Sequence, residues 1–300
     1  MIPNVKSDKL VAIYLYICDI YDSELRYTCK RITNNDQPVF TDQEIMTIYL
    51  FSMHCEQRFK IKHIHEFAND YLKSWFPKLP SYNAFNLRLN RLSEAFNLLI
   101  SFLLTLFKTD EYSQNTSIID SMPIVTCSGK RSPKVALELV DKTKCSSKSM
   151  WYHGVKLHVL AFNRDGKLPV PESIIITQAS ENDLNVFKQN WAVIQNRRFF
   201  GDKIYHDIPF FDHVSKNQNL QMYTPVKRVK NKPDLLDGFD KAADHLFSKR
   251  VSSIRQPIES FFNWLIEKTD IQRASKVRST KGLLVHIFGR IAAAYINLIF

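Results

Sequence analysis

Two periodicities divide the chain. Over roughly the first hundred residues the apolar positions recur at the three-to-four spacing of amphipathic helices. After an opening helix, Thr41-Asp-Gln-Glu44 places a hydroxyl and a carboxylate three apart ahead of IMTIYLFSMHC, the pattern of a capping box. A basic helix is expected within RFKIKHIHEFANDYLKSWF, closed by Pro77 and Pro80. Ser81 then opens SYNAFNLRLNRLSEAFNLLISFLLTLF, polar at its start and increasingly apolar towards its end. From about residue 115 the period changes to two. SIIDSMPIVTC, residues 117–127, is a β-branched run, and WYHGVKLHVLAFN alternates Val155, Leu157, Val159 and Ala161 on one face. Asp165-Gly166 predicts a hairpin turn, and LPVPESIIITQAS the returning strand.

A helix over about 182–195, a strand at RRFFGDKIYHD, a helix near 207–217 and a strand at LQMYTPV complete the alternation. Three strands in a row followed by alternating helices and strands predict an α/β fold, a mixed sheet with flanking helices. An all-α region precedes it, and the expected division is 1–110 and 111–300. The terminal segment GLLVHIFGRIAAAYINLIF is the most apolar of the chain, but His286, Arg290 and Asn297 interrupt it at helical spacing, as in a buried core helix.

Three hundred residues with 45% hydrophobic and 24% charged side chains make a globular chain with a real core. Lys and Arg exceed Asp and Glu by 41 to 30, a net charge of +11 and a pI near 9.3, which favours a polyanionic partner, most simply nucleic acid. Five cysteines without a CxxC spacing read as reduced thiols, neither a zinc site nor a disulfide framework. No secretory signal is read at the start of the chain, so a cytoplasmic protein is expected. The short basic helices carry Arg58, Lys60, Lys62, Arg88 and Arg91 and fit a helix-turn-helix-like DNA-binding region, although solvated helix faces explain the same charges. Two further basic runs, KRVKNK at 227–232 and the stretch from Lys268 through Arg273, Lys276 and Arg278 to Lys281, suit phosphate contacts.

Three carboxylates stand in places that need an explanation. Asp120 interrupts an apolar strand, where an ionised side chain is costly unless a positive group meets it. It either ends the strand in a turn with Ser121 and Pro123, or it serves chemistry. Asp202 follows Phe199, Phe200 and Gly201, where a buried strand gives way to a loop, and the glycine leaves room for a ligand to approach. Glu259 flanks the apolar stripe of Ile254, Ile258, Phe261, Phe262, Leu265 and Ile266, with Arg255 four residues earlier on the same side. Pro257 in a first helical turn with Glu259 at the third position would explain that glutamate by helix electrostatics alone. Two aspartates on adjacent strands and a glutamate on a packed helix are also what two hard cations, about 3.5–4 Å apart, require for in-line attack on a phosphodiester. His153 is read as a core or rim histidine, and Glu181, Asp183 and Asp207 as helix caps or surface charge.

The ordered set IIDSMPIV, WYHGVKLHVL, FFGDKIYHD and IRQPIESFFNWL, with FPKLPSYNAFNLRLNRL upstream, resembles the DDE transposases of bacterial insertion sequences, and the wording is most similar to their nine-eighty-two group. The likeness covers about residues 40–295. It implies a ribonuclease-H-like sheet, with Asp120, Asp202 and Glu259 as the catalytic and metal-holding triad. It implies Mg²⁺, for which Mn²⁺ can substitute. It further implies transposon-end and target DNA as substrates, cleavage and strand transfer as the reaction, and a homodimer or higher oligomer on the nucleoid. Arg255 matches the arginine that related groups carry before the glutamate. Ser252 stands where their tyrosine would be and Ile266 where their lysine would be, with Lys268 two residues late. Without the resemblance, the basic helices alone would equally fit a DNA-binding protein lacking catalysis, and the carboxylates a nuclease that does not join strands.

Overall fold

The computed structural model describes residues 2–29, 38–106, 113–145, 149–164, 166–226 and 237–300. The chain forms two compact units: one comprises 1–106, 133–138 and 265–300, the other 107–132 and 139–264.

The first unit is helical. Its elements are α1 (Asn4–Ile20), α2 (Arg26–Cys29), α3 (Asp42–Glu56), α4 (Ile61–Tyr71), α5 (Tyr82–Leu89) and α6 (Ser93–Thr105). The capping box forms as expected: Thr41 Oγ1 accepts from the Glu44 amide at 3.2 Å, and Glu44 Oε2 accepts from the Thr41 amide. From Ile45 to Met53 every residue of α3 is buried, so this helix is wrapped on all sides rather than presenting one stripe. Gln57 ends it in the left-handed conformation (φ 48°) and redirects the chain towards α4. The terminal helix α10 (Thr280–Ile299) also belongs to this unit and packs against α6 and α3. It is the one described helix long and apolar enough to cross a membrane, but two-thirds of its most apolar window is buried in protein. Its charged interruption is satisfied there: Arg290 donates to the carbonyls of Thr269 and, at 2.7 Å, Phe59, and His286 bonds the Ile271 carbonyl at 2.8 Å.

The second unit holds a six-stranded mixed sheet: β1 (Thr116–Ser128), β2 (Asp141–Cys145), β3 (Met150–Phe162), β4 (Val170–Gln178), β5 (Arg197–Phe200) and β6 (Leu220–Tyr223). β3 pairs antiparallel with β1 along one edge, and β2 and β4 follow one another along its other edge; β1, β5 and β6 are parallel. Helices α7 (Asp183–Asn190), α8 (Ile208–Gln218) and α9 (Asp237–Thr269) accompany the sheet. Ile119 and Leu160 of the strands meet Phe187, Trp191, Phe199, Tyr205 and Phe211 in one buried cluster.

Three expectations are corrected, on β2, on the course of β1 and on Pro257, and one is borne out. β2 is an additional strand: DKTKC alternates half-buried and exposed positions and has no apolar face, so only its pairing with β3 makes it a strand. The expected returning strand is there: β3 and β4 pair as an antiparallel hairpin through a link of residues 163–169, in which Gly166 takes the left-handed conformation (φ 69°) and Asp165 lies outside the described residues. β1 does not turn after Asp120 but runs on through Ser121 and Pro123 to Ser128. Beyond Ile118 it is paired on one edge only, a setting that tolerates proline. Finally, Pro257 lies inside the 33-residue helix α9, not in a first turn, so Glu259 is no helix-start charge. The basic run 227–232 also lies outside the described residues.

Candidate active site

The parallel pairing of β1 with β5 places Ile118 opposite Phe200. Two residues further along come Asp120, still within β1, and Asp202, in the loop past the carboxyl end of β5, near enough for the Asp202 charge to be felt at Asp120. Open α/β sheets put their ligands in that crevice.

Each aspartate is fixed by backbone. Asp120 Oδ1 accepts from the Ser121 amide at 2.8 Å, and Asp202 Oδ1 accepts from the Ile204 amide at 2.7 Å, capping the one-turn helix Lys203–Tyr205. Gly201 is required here by packing. A Cβ on it would lie 2.6 Å from the Tyr205 ring and 3.2 Å from Ile119, so the space that the sequence left open for a ligand is filled by that ring.

Glu259 reaches the cluster through Arg255. The guanidinium donates through Nη1 to Asp120 Oδ2 at 2.7 Å and through Nη2 to Glu259 Oε1 one helical turn away. Asp120 and Arg255 are about four-fifths buried, whereas Glu259 is half exposed. Loss of solvent pushes the Asp120 carboxyl up to about 6; the Arg255 charge and the Ser121 amide oppose the rise, and the Asp202 and Asp183 charges add to it. The buried Tyr205 hydroxyl feels the same cluster. Burial first, then Asp183, Asp120 and Asp202, push its ionisation well above the ordinary range, and it has no hydrogen-bond partner among the described residues.

The second face of β1 carries a network that sequence reasoning missed. Asp183, expected as a cap or surface charge, is buried; the cap of α7 is Asn182. Asp183 accepts from Lys156 Nζ at 2.9 Å and from Ser121 Oγ at 3.0 Å, and His158 Nδ1 stands 3.7 Å from it. Burial lowers the His158 imidazole to about 4, the Asp183 charge opposing, so it is neutral at pH 7 and bonds Thr177 Oγ1 at 2.8 Å. The signal was present in VKLHV: opposite the apolar face stand Lys156 and His158, polar positions on a central strand that call for a buried acid. His153 is buried six residues along β3 from Val159, the partner of Asp120. At about 3.3 Å per residue that is about 20 Å from the carboxylates. Asp207 caps α8 through the Phe210 amide at 3.2 Å, as expected.

A family model described as Transposase DDE domain matches residues 111–296, from ahead of β1 almost to the end of α10. The chain belongs to that family. No curated protein and no solved structure matches it. Transposases of this family act on DNA and generally use divalent metal ions, and the family implies an enzyme of nuclease or transposase type.

The donors suit such an ion in chemistry: carboxylate oxygens are hard ligands, and the burial that raises the Asp120 carboxyl is what a further cation would offset. No three His, Cys, Asp or Glu side chains stand close enough to hold one ion among the described residues. In the transposase fold seen here, Arg255 supplies the positive charge between Asp120 and Glu259.

The basic positions are distributed. Arg88 is about seven-eighths buried, donating to Asp42 Oδ1 at 2.7 Å and to the Phe40 carbonyl. Arg91 is exposed on the short turn between α5 and α6, and Lys268 is half-buried in the last turn of α9. Arg273, Lys276 and Arg278 are exposed together in the link from α9 to α10.

Proposed function

We propose that the protein is a transposase of the nine-eighty-two group of insertion sequences. It binds the inverted-repeat ends of its element, hydrolyses a strand to free a 3′ hydroxyl, and directs that hydroxyl at a target phosphodiester. The observation that carries this reading is the convergence of Asp120 within β1 and Asp202 just past the end of the parallel neighbour β5, with Arg255 pairing both Asp120 and Glu259. A mixed sheet whose first strand pairs antiparallel with the next long strand and parallel with β5 supports a ribonuclease-H-like core.

In this reading Asp120, Asp202 and Glu259 are the catalytic residues and hold two Mg²⁺, with Mn²⁺ as a substitute. When bound, the ions activate the attacking oxygen and neutralise charge on the phosphate and the leaving oxygen. The chain's own groups do the positioning. The amides of Ser121 and Ile204 each hold one oxygen of an aspartate, and the second oxygen of Asp120 accepts from Arg255. Arg255 restrains Glu259 and neutralises Asp120 until Glu259 is released to the site, and its guanidinium is then placed to contact a phosphate. Arg88, Arg91, Lys268, Arg273, Lys276 and Arg278 serve as DNA contacts, the N-terminal helices as the end-binding region, and the active form is a homodimer or higher oligomer on the nucleoid in the cytoplasm.

Incubating a linear DNA bearing the element's ends with a supercoiled plasmid and Mg²⁺ tests the reading. Covalent joining of the linear DNA to the plasmid is expected. Binding without nicking at any metal concentration would leave a DNA-binding protein without catalysis, and nicking without joined product a nuclease.

A further inference from the structure

The helical unit contains a cleft of about 640 Å³, the size of a ligand site, formed by residues 56–63 after α3 and residues 270–279 between α9 and α10. Two basic segments some 210 residues apart in sequence thus share one recess: Arg58, Lys60 and Lys62 on one side, Arg273, Lys276 and Arg278 on the other, all exposed. The two carboxylates of the lining already have cationic partners, Glu56 with Lys6 at 2.5 Å and Asp270 with Arg273 at 4.0 Å. The recess is therefore left with an excess of positive charge.

The recess also carries aromatic side chains. Phe59, His63 and Tyr82 line it, and Tyr82 is 38% exposed with its ring edge-on to His65. Arg290 also lines it, 6% exposed, and its Nε has no partner among the described residues. Ser279 and Gly282, the capped start of the 20-residue helix α10, belong to the same lining, adding the positive end of a helix dipole.

Duplex DNA is read by elements that protrude into its grooves, and its bases are stacked out of reach of a recess. A recess lined by both cations and aromatic rings, one of them exposed, suits a single strand, whose phosphates follow the charge while an unstacked base lies against a ring. We propose that this cleft binds a short single-stranded stretch of DNA, the backbone held by Lys276, Arg278, Lys60 and Arg58 and a base placed against Tyr82. The proposal rests on the reading of DNA as substrate and adds a site outside the carboxylate cluster.

Fluorescence anisotropy of the full chain in chelator tests it without cleavage, using a labelled single strand of about 10 nucleotides and the matching duplex. Tyr82→Ala should weaken single-strand binding roughly tenfold, with its salt dependence and the duplex affinity unchanged. Lys276→Ala with Arg278→Ala should flatten the single-strand salt slope by about 1.4, two lost phosphate contacts. If Tyr82→Ala does not fold by circular dichroism, Tyr82→Leu, which keeps bulk without the ring, replaces it. Unchanged single-strand affinity in the ring variant, or equal losses for strand and duplex, overturns the cleft assignment while leaving DNA as the substrate. A wild-type chain that binds neither form overturns both.

Discussion

Asp120 sits on a paired strand with most of its solvent removed, and one guanidinium is its main compensation. Its carboxyl is raised from 3.8 to about 6, so the native state holds the proton more tightly than the unfolded chain does. The stability this gives is complete below pH about 4 and is lost as pH rises through about 6. Asp120→Asn in metal-free protein should therefore raise the unfolding free energy near neutral pH by on the order of 1–2 kcal/mol after allowing for remaining exposure, and with it the thermal midpoint, with no gain near pH 4. Calorimetry in chelator at the two pH values measures it, and a midpoint below wild type at neutral pH would contradict the desolvation argument. Gly201→Ala drives a methyl into the Tyr205 ring, and a destabilisation of about 1–3 kcal/mol is expected, with weakened cleavage because Asp202 is the next residue. Asp120, Asp202 and Glu259 could be named from sequence because carboxylates stand out against apolar strands and stripes. Lys156 and His158 leave a signal on the polar face of VKLHV, but Ser121, Asp183 and Tyr205 could not be named, because their roles depend on which strand faces which, and register is a tertiary fact.

The helix α9 holds Arg255 and Glu259 one turn apart and carries Pro257 between them. A proline in a helix interior removes one backbone hydrogen bond and costs about 3 kcal/mol. Pro257→Ala should therefore raise the thermal midpoint, and an unchanged or lower midpoint would mean that the helix has adapted its path to the proline. The periodicity of α9 gives its apolar stripe, but Pro257 fits a first turn as well as an interior on sequence alone, and only the packed helix places it inside. At the sheet, β3 carries His158 neutral with its imidazole lowered to about 4. The unfolded chain takes up that proton near pH 6.5 and the native chain does not, so stability is lost as pH falls from about 6.5 to about 4. His158→Gln should make the acid limb of urea-unfolding free energy shallower over that window by up to one proton. An unchanged limb would place the acid sensitivity elsewhere. β2, unlike β3, escaped the sequence pattern because it has no apolar face to reveal it.

For the whole molecule, the net charge of +11 pointed to a polyanion, and the alternation of strands and helices to a mixed sheet. Composition could not say that residues 265–300 join the helical unit, because α10 is apolar nearly all round and its partners, α3 and α6, are distant in sequence. The central claim, that three acids from β1, the end of β5 and α9 perform metal-dependent DNA cleavage, is tested most directly by nicking of end-bearing DNA with Mg²⁺. Wild type is compared with Asp120→Asn, Asp202→Asn and Glu259→Gln, and binding of each is measured in parallel. The account predicts that each variant binds DNA as wild type does and loses cleavage by at least about a thousandfold, a barrier increase of about 4 kcal/mol. Near-wild-type nicking by any one of the three, with binding intact, would contradict it.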